Sequence, residues 1–211
     1  MGLSNLSIVD LNNSFFYIFL KIGLTGGYGC GKSTVLKLFD DFGWRTIQTD
    51  RIGHSILETD PSVRDKVHER WSGAILNDEG SICRKKIAKI VFSDVKQLNW
   101  LEQLLHPKII RNYEELIELK PSLNYLVEVP LLFEKRLENT FDFSVCVMCT
   151  DSIAIQRMNF SSNSSQEFKR RNRSQLPVQL KAVAADFIIF NSGNLAFLKK
   201  QVTHLLKIVD A

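Results

Sequence analysis

The chain has 211 residues, 45% hydrophobic and 24% charged, with 27 Lys and Arg against 23 Asp and Glu for a formal charge of +4. This is enough apolar content for one α/β domain with appendages and too much for a disordered or fibrous chain. The charge suits anionic small molecules but is too mild to imply nucleic acid without a focused basic face; neither nucleic acid nor membrane is expected as a partner, and composition leaves the oligomeric state open.

Ser14 to Leu20 is the most apolar run. Met1 to Asn13 carry Asp10 and no Lys or Arg, no small-residue cleavage site follows, and the run is too short to cross a bilayer. A cytoplasmic protein with an N-terminal extension over residues 1–17 is therefore expected. Phe19 to Thr25 then reads as a short apolar strand entering Gly26-Gly27-Tyr28-Gly29-Cys30-Gly31-Lys32-Ser33, followed by Thr34. These residues satisfy the phosphate-cradling pattern GxxxxGK[ST] at every defined position. Polyphosphate is dense negative charge. Glycines without side chains let backbone N–H groups approach it, and the following helix adds the positive end of its dipole. Lys32 is expected to reach the β- and γ-phosphates, and the Ser33 hydroxyl to ligate Mg²⁺. Val35, Leu38, Phe39 and Phe42 recur at helical spacing, and Gly43 fits a helix C-cap.

Trp44 to Thr49 reads as a second strand ending at Asp50, where a carboxylate can orient an acceptor hydroxyl and take its proton. An N-cap for a helix beginning at Arg51 is the alternative role for Asp50. A helix after Pro61 carries Val63, Val67 and Trp71 on one face, and Asn77 to Gly80 makes a turn. Ile87, Ile90 and Val91, then Leu98, Leu101 and Leu105, then Ile109 to Ile117 after Pro107 form three further stripes, with His106-Pro107 at a helix junction. So long a helical insertion exceeds what a crossover needs and predicts a substrate-side subdomain over about residues 60–120.

Strands resume at Leu123 to Val129, Phe141 to Cys149 and Phe187 to Asn191, and their alternation with helices argues for a parallel sheet. Between the last two, a polar tract from Asn159 to Ser165 precedes a basic stretch with Lys169, Arg170, Arg171 and Arg173; a lid is expected over about residues 152–184. Arg157, on the helix leading into it, can clamp transferring phosphate. Cys30, Cys83, Cys146 and Cys149 are expected as reduced thiols. Cys146 and Cys149 have CxxC spacing, but they lie in an apolar strand with no second ligand pair, which favours core packing over metal binding.

The ordered set of the glycine loop from Gly23, Asp50, Leu101-Glu102 with His106-Pro107, Val129-Pro130-Leu131-Leu132-Phe133-Glu134, and Ala185-Asp186 with Asn191 and Gly193 resembles the dephospho-CoA kinase family from about Lys21 to the C-terminus. The resemblance implies a P-loop kinase core, a helical CoA subdomain and a small lid within residues 18–211, with the ATP γ-phosphate passing to the ribose 3′-hydroxyl of dephospho-CoA. By position, Asp50 resembles the catalytic aspartate, and the loop with Gly26, Gly27, Gly29, Cys30, Gly31, Lys32, Ser33 and Thr34 resembles the ATP loop. Arg157 resembles the lid arginine, while Arg171 and Asn191 match ATP-side positions. On the acceptor side, Arg84 and His106 match family residues, and His54, one helical turn after Asp50, completes the expected set. ATP and Mg²⁺ are the implied cofactors. The chain departs at Gln48, where the family shows an aspartate, and at Ser161, where a second lid arginine is usual. A nucleoside monophosphate type of P-loop kinase is the alternative within enzymes; an ATP-binding module coupled to nucleic acid through Lys169 to Arg173 is the alternative outside them.

Overall fold

The structure, a computed structural model, describes residues 19–158, 168, 172 and 175–209. The N-terminal extension, Ser161 and the basic residues Lys169, Arg170, Arg171 and Arg173 lie outside the described residues.

Five strands, β1 (Lys21–Gly26), β2 (Arg45–Gln48), β3 (Tyr125–Glu128), β4 (Phe143–Met148) and β5 (Phe187–Phe190), form one sheet in the order β2-β3-β1-β4-β5. The pairings of β1 with β3, β1 with β4 and β4 with β5 are parallel, with Gly23 opposite both Val127 and Ser144. Central β1 is buried over five of its six residues, the near-continuous apolar reading expected of a strand covered on both faces. Because β1 sits between β3 and β4, its C-terminal end is a point where the strand order reverses, the crevice in which open parallel sheets bind ligands.

Helix α1 (Lys32–Asp41) follows the glycine loop and ends where Gly43, at φ +87°, turns the chain and donates to the Asp40 carbonyl at 2.9 Å. It buries Val35, Leu36, Leu38 and Phe39, and Phe39 meets Trp44 edge to face with ring centroids 5.2 Å apart. Truncating such a buried ring to Ala costs about 3–5 kcal/mol. Helices α6 (Asp151–Met158), α7 (Val178–Ala184) and α8 (Leu195–Val209) lie in the same part of the chain as this sheet. The sequence reading named no helix over α8, although Leu198, Val202, Leu205 and Leu206 lie on one helical stripe and are all buried.

Gln48–Lys120 forms a second compact unit, mostly helical, with one antiparallel bridge between Leu76 and Ile82. It contains α2 (Thr49–Thr59), α3 (Pro61–Trp71), α4 (Arg84–Ser93) and α5 (Val95–Glu118), and so takes in α2, which the expected boundary near residue 60 left out. Ile56, Leu57, Val63, Val67, Ile75, Ile87, Val91 and Leu101 are its core. The expected junction at His106-Pro107 is absent: α5 runs through Pro107. Proline removes one backbone donor, but Leu101, Leu104, Leu105 and Ile109 continue the packed stripe across it and hold the helix together.

Candidate active site

The phosphate loop is shaped by what surrounds it. A Cβ on Gly26, at φ +144°, would collide with the Val147 carbonyl, and one on Gly31, at φ +86°, with the Asn191 side-chain amide. Only glycine meets both demands, the positive φ and the close approach. The hydrogen bonds of α1 start with Thr34 N–H donating to the Gly31 carbonyl at 3.0 Å. The N–H groups of Lys32 and Ser33 therefore have no acceptor within the helix and, with the dipole, form an anion-binding end. Ser33 is exposed in that first turn and Thr34 half-buried.

Lys32 Nζ donates to the carbonyls of Gly27 at 3.2 Å and Gly26 at 3.4 Å, and lies 3.9 Å from Glu128 Oε1 at the end of β3. Its ammonium thus stands over the loop itself. Two residues far away in sequence join it. Arg157 Nη2 donates to the Asn191 carbonyl at 2.9 Å and to Asn191 Oδ1 at 3.3 Å, while Arg157 Nη1 donates to the Cys30 carbonyl at 3.4 Å. Asn191 Nδ2 donates to the same Cys30 carbonyl at 2.9 Å. A guanidinium and a carboxamide therefore meet on one backbone oxygen of the loop, which brings Cys30, Arg157 and Asn191 together.

The remaining thiols pack. Cys146 is fully buried, and burial pushes its pKa up to about 11. Cys149 donates its S–H to Cys30 Sγ at 3.4 Å, and burial followed by this hydrogen bond pushes it up to about 12. Both are buried among apolar side chains, where free cysteine packs as a small apolar residue. Among the described residues no three His, Cys, Asp or Glu gather into a metal-binding group.

One group escaped the sequence reading. Lys181 on α7 has 0% exposure, donates to the Pro130 carbonyl at 2.6 Å and to Gln175 Oε1 at 3.2 Å, and pairs with Glu134 Oε1 at 2.9 Å. Burial holds its pKa below the usual lysine value, opposed by the hydrogen bond and charge of Glu134. Glu134 Oε1 also accepts from the Leu176 N–H at 2.8 Å. Removing one partner of a buried pair costs about 3–5 kcal/mol, whereas replacing both is often neutral. The available signal was spacing: Val178, Lys181 and Ala182 fall at i, i+3 and i+4, which puts a lysine on the apolar stripe of a short helix.

In the helical unit, Asp50 is exposed in the first turn of α2. The helix begins at Thr49 with Gln48 as its N-cap, so Asp50 is not the cap, and a carboxylate here complements the helix dipole. His54 is exposed one turn later. Arg84 is the first residue of α4 and lies 3.7 Å from Glu58 through its Nε. His106 is half-buried within α5. Arg171 lies outside the described residues. No helix among the described residues is long and apolar enough to cross a membrane.

The family model for dephospho-CoA kinase matches residues 20–196. A dephospho-CoA kinase of Aquifex aeolicus is 34% identical over 183 residues, covering 86% of this chain and 93% of the relative. The solved structure of a Thermus thermophilus protein matches with a TM-score of 0.79 and 28% identity, covering 90% of this chain and 98% of that one. A dephospho-CoA kinase structure from Campylobacter jejuni matches with a TM-score of 0.67 and 27% identity, covering 90% and 96%. With the family model matching residues 20–196 and a relative 34% identical over 93% of its own length, the chain belongs to the dephospho-CoA kinase family.

Proposed function

We propose that this chain transfers the γ-phosphoryl group of ATP to the ribose 3′-hydroxyl of dephospho-CoA, giving coenzyme A. The phosphate loop carries this reading, with its glycines fixed by close contacts and Arg157 and Asn191 gathered on the Cys30 carbonyl. Phosphoryl transfer needs little covalent chemistry from the protein; positioning and charge do the work. The N–H groups at the start of α1 hold the β- and γ-phosphates, and Lys32 follows the charge that develops between them. Arg157 presents a planar guanidinium suited to bidentate contact with phosphate, and Arg171 and Asn191 act on the nucleotide side.

Asp50 orients the acceptor hydroxyl and accepts its proton, while His54, Arg84 and His106 bind dephospho-CoA. Arg84 offers its charge to the phosphates of the acceptor. The donor set suits Mg²⁺ held by one hydroxyl, nucleotide phosphates and water, because Ser33 is exposed at the start of α1 and no carboxylate cage is present among the described residues. Mg²⁺ bound with the nucleotide neutralises charge on the β- and γ-phosphates. The mild charge and the absence of a membrane-crossing helix among the described residues support a cytoplasmic enzyme acting on small molecules.

The test is competition. ATP and Mg²⁺ are supplied with dephospho-CoA, AMP, adenosine and shikimate together, and the phosphorylated product is identified by mass spectrometry. Coenzyme A is expected, with turnover reduced about 10³-fold in Lys32→Ala. Preferential phosphorylation of AMP would replace this reading with a nucleoside monophosphate kinase.

A further inference from the structure

The Lys181 ammonium ties the chain around the phosphate loop. Its strongest hydrogen-bond partner by distance, the Pro130 carbonyl, also accepts from Thr25 Oγ1 at 3.2 Å, and Thr25 immediately precedes Gly26. Pro130 follows Val129 and Glu128, the carboxylate that faces Lys32 at 3.9 Å. One turn before Lys181, Val178 Cγ2 lies 3.4 Å from the place where a Cβ on Gly27 would stand. Helix α7 thus touches the phosphate loop with one residue and grips the exit of β3 with the next turn. An apolar side chain would fill the same space without the cost of burying a charge. What lysine adds is a charged donor to a carbonyl next to the catalytic loop.

We propose that Lys181 is a positioning residue for phosphoryl transfer: its ammonium fixes the Pro130 carbonyl and, through Val129, the Glu128 carboxylate that sets where Lys32 rests. This inference rests on the kinase reading of the same loop. Misplacing a group around the transferred phosphate by about 1 Å costs on the order of 10² in rate. Glu134 has the separate task of compensating the buried charge. The titratable groups facing Lys181 are Glu134, Lys32 and Cys146, and loss of the Lys181 proton at high pH removes the charge that strengthens its hydrogen bond to Pro130.

Four variants test this by melting temperature and by ADP release with dephospho-CoA: Lys181→Met, Glu134→Gln, the double variant and Lys181→Arg. Lys181→Met is expected to lose both stability and turnover. The double variant leaves no uncompensated carboxylate, so its melting temperature recovers while kcat stays about 10²-fold low. Glu134→Gln keeps the Pro130 contact and retains most of its turnover. Lys181→Arg retains donors and does not deprotonate, so the alkaline fall of kcat moves to higher pH; this arm decides the matter if the double variant does not fold. Wild-type kcat in the double variant, a Glu134→Gln loss equal to that of Lys181→Met, or an unmoved alkaline limb in Lys181→Arg would each overturn the role. If wild-type protein phosphorylates a different acceptor, the functional reading fails instead. The variant-to-wild-type ratios measured with that acceptor still judge Lys181.

Discussion

The sheet-bearing unit and the helical unit present their expected functional residues in opposite ways. Around the phosphate loop, Arg157 and Asn191 are tied to the Cys30 carbonyl and the glycines are held by close backbone or side-chain contacts. In the Gln48–Lys120 unit, Asp50, His54 and Arg84 stand exposed on helices whose buried faces form an independent core. The first arrangement is preorganised by the backbone, which suits developing charge. The second places side chains on a packed helical scaffold, which suits recognition of a larger, flexible acceptor. Substitutions on the two sides should therefore separate into effects on kcat and effects on KM.

Asp50 tests that division most severely, because it belongs to the helical unit yet has a proposed role in the chemical step. Asp50→Asn keeps the shape and removes the proton acceptor, so kcat should fall by about 10² to 10⁴ with little change in melting temperature. A near-normal kcat would confine all chemistry to the phosphate loop. Arg157→Ala removes the guanidinium from the Cys30 and Asn191 carbonyls and, on the proposed role, from phosphate, and kcat should fall about 10²-fold. Steady-state ATP saturation curves measure it, and a silent substitution would strip α6 of its clamp.

Arg84→Ala should act on the acceptor alone. Loss of a charge-assisted contact raises KM for dephospho-CoA about tenfold while KM for ATP is unchanged, and an equal rise in both would blur the comparison. The smallest effect concerns stability of the helical unit. Lys108 Nζ donates to Asp60 Oδ2 at 2.6 Å and the Val63 N–H to Oδ1 at 3.1 Å, the lysine contact being the larger cause of a pKa lowered from 3.8 to about 2. A depressed carboxylate stabilises fully above its unfolded value and loses that contribution as pH falls toward its folded value. Melting curves of wild type and Asp60→Asn should differ at neutral pH and converge between about pH 4 and pH 2. A gap that persists below pH 2 would assign Asp60 an uncharged role.

All five expected strands occur, with ends within about two residues of those expected, because apolar runs bounded by Gly, Pro and Asp are strong local signals. Pro107 misled for the complementary reason: a local helix breaker was overridden by the packing of Leu104, Leu105 and Ile109 around it. Asp50 as a cap failed similarly, since β2 hands over to α2 two residues earlier than propensity suggests, with Gln48 as the N-cap.

What the sequence by itself determined is whatever chemistry lies in contiguous residues. Gly26 to Ser33 carry their own turn, positive-φ positions, lysine and helix start, so nucleotide phosphate was legible in eight letters. The tertiary structure decided through which contacts distant groups close on that loop, and it alone brought in Lys181. Asn191 reaches the Cys30 carbonyl across 161 positions and Arg157 across 127, and Lys181 meets Pro130 across 51. Composition and spacing describe a residue's neighbours along the chain, whereas burial of a charge and convergence on one carbonyl depend on strand order. Only after β3 and β4 take their places on either side of β1 do Pro130, Arg157 and Lys181 acquire their partners.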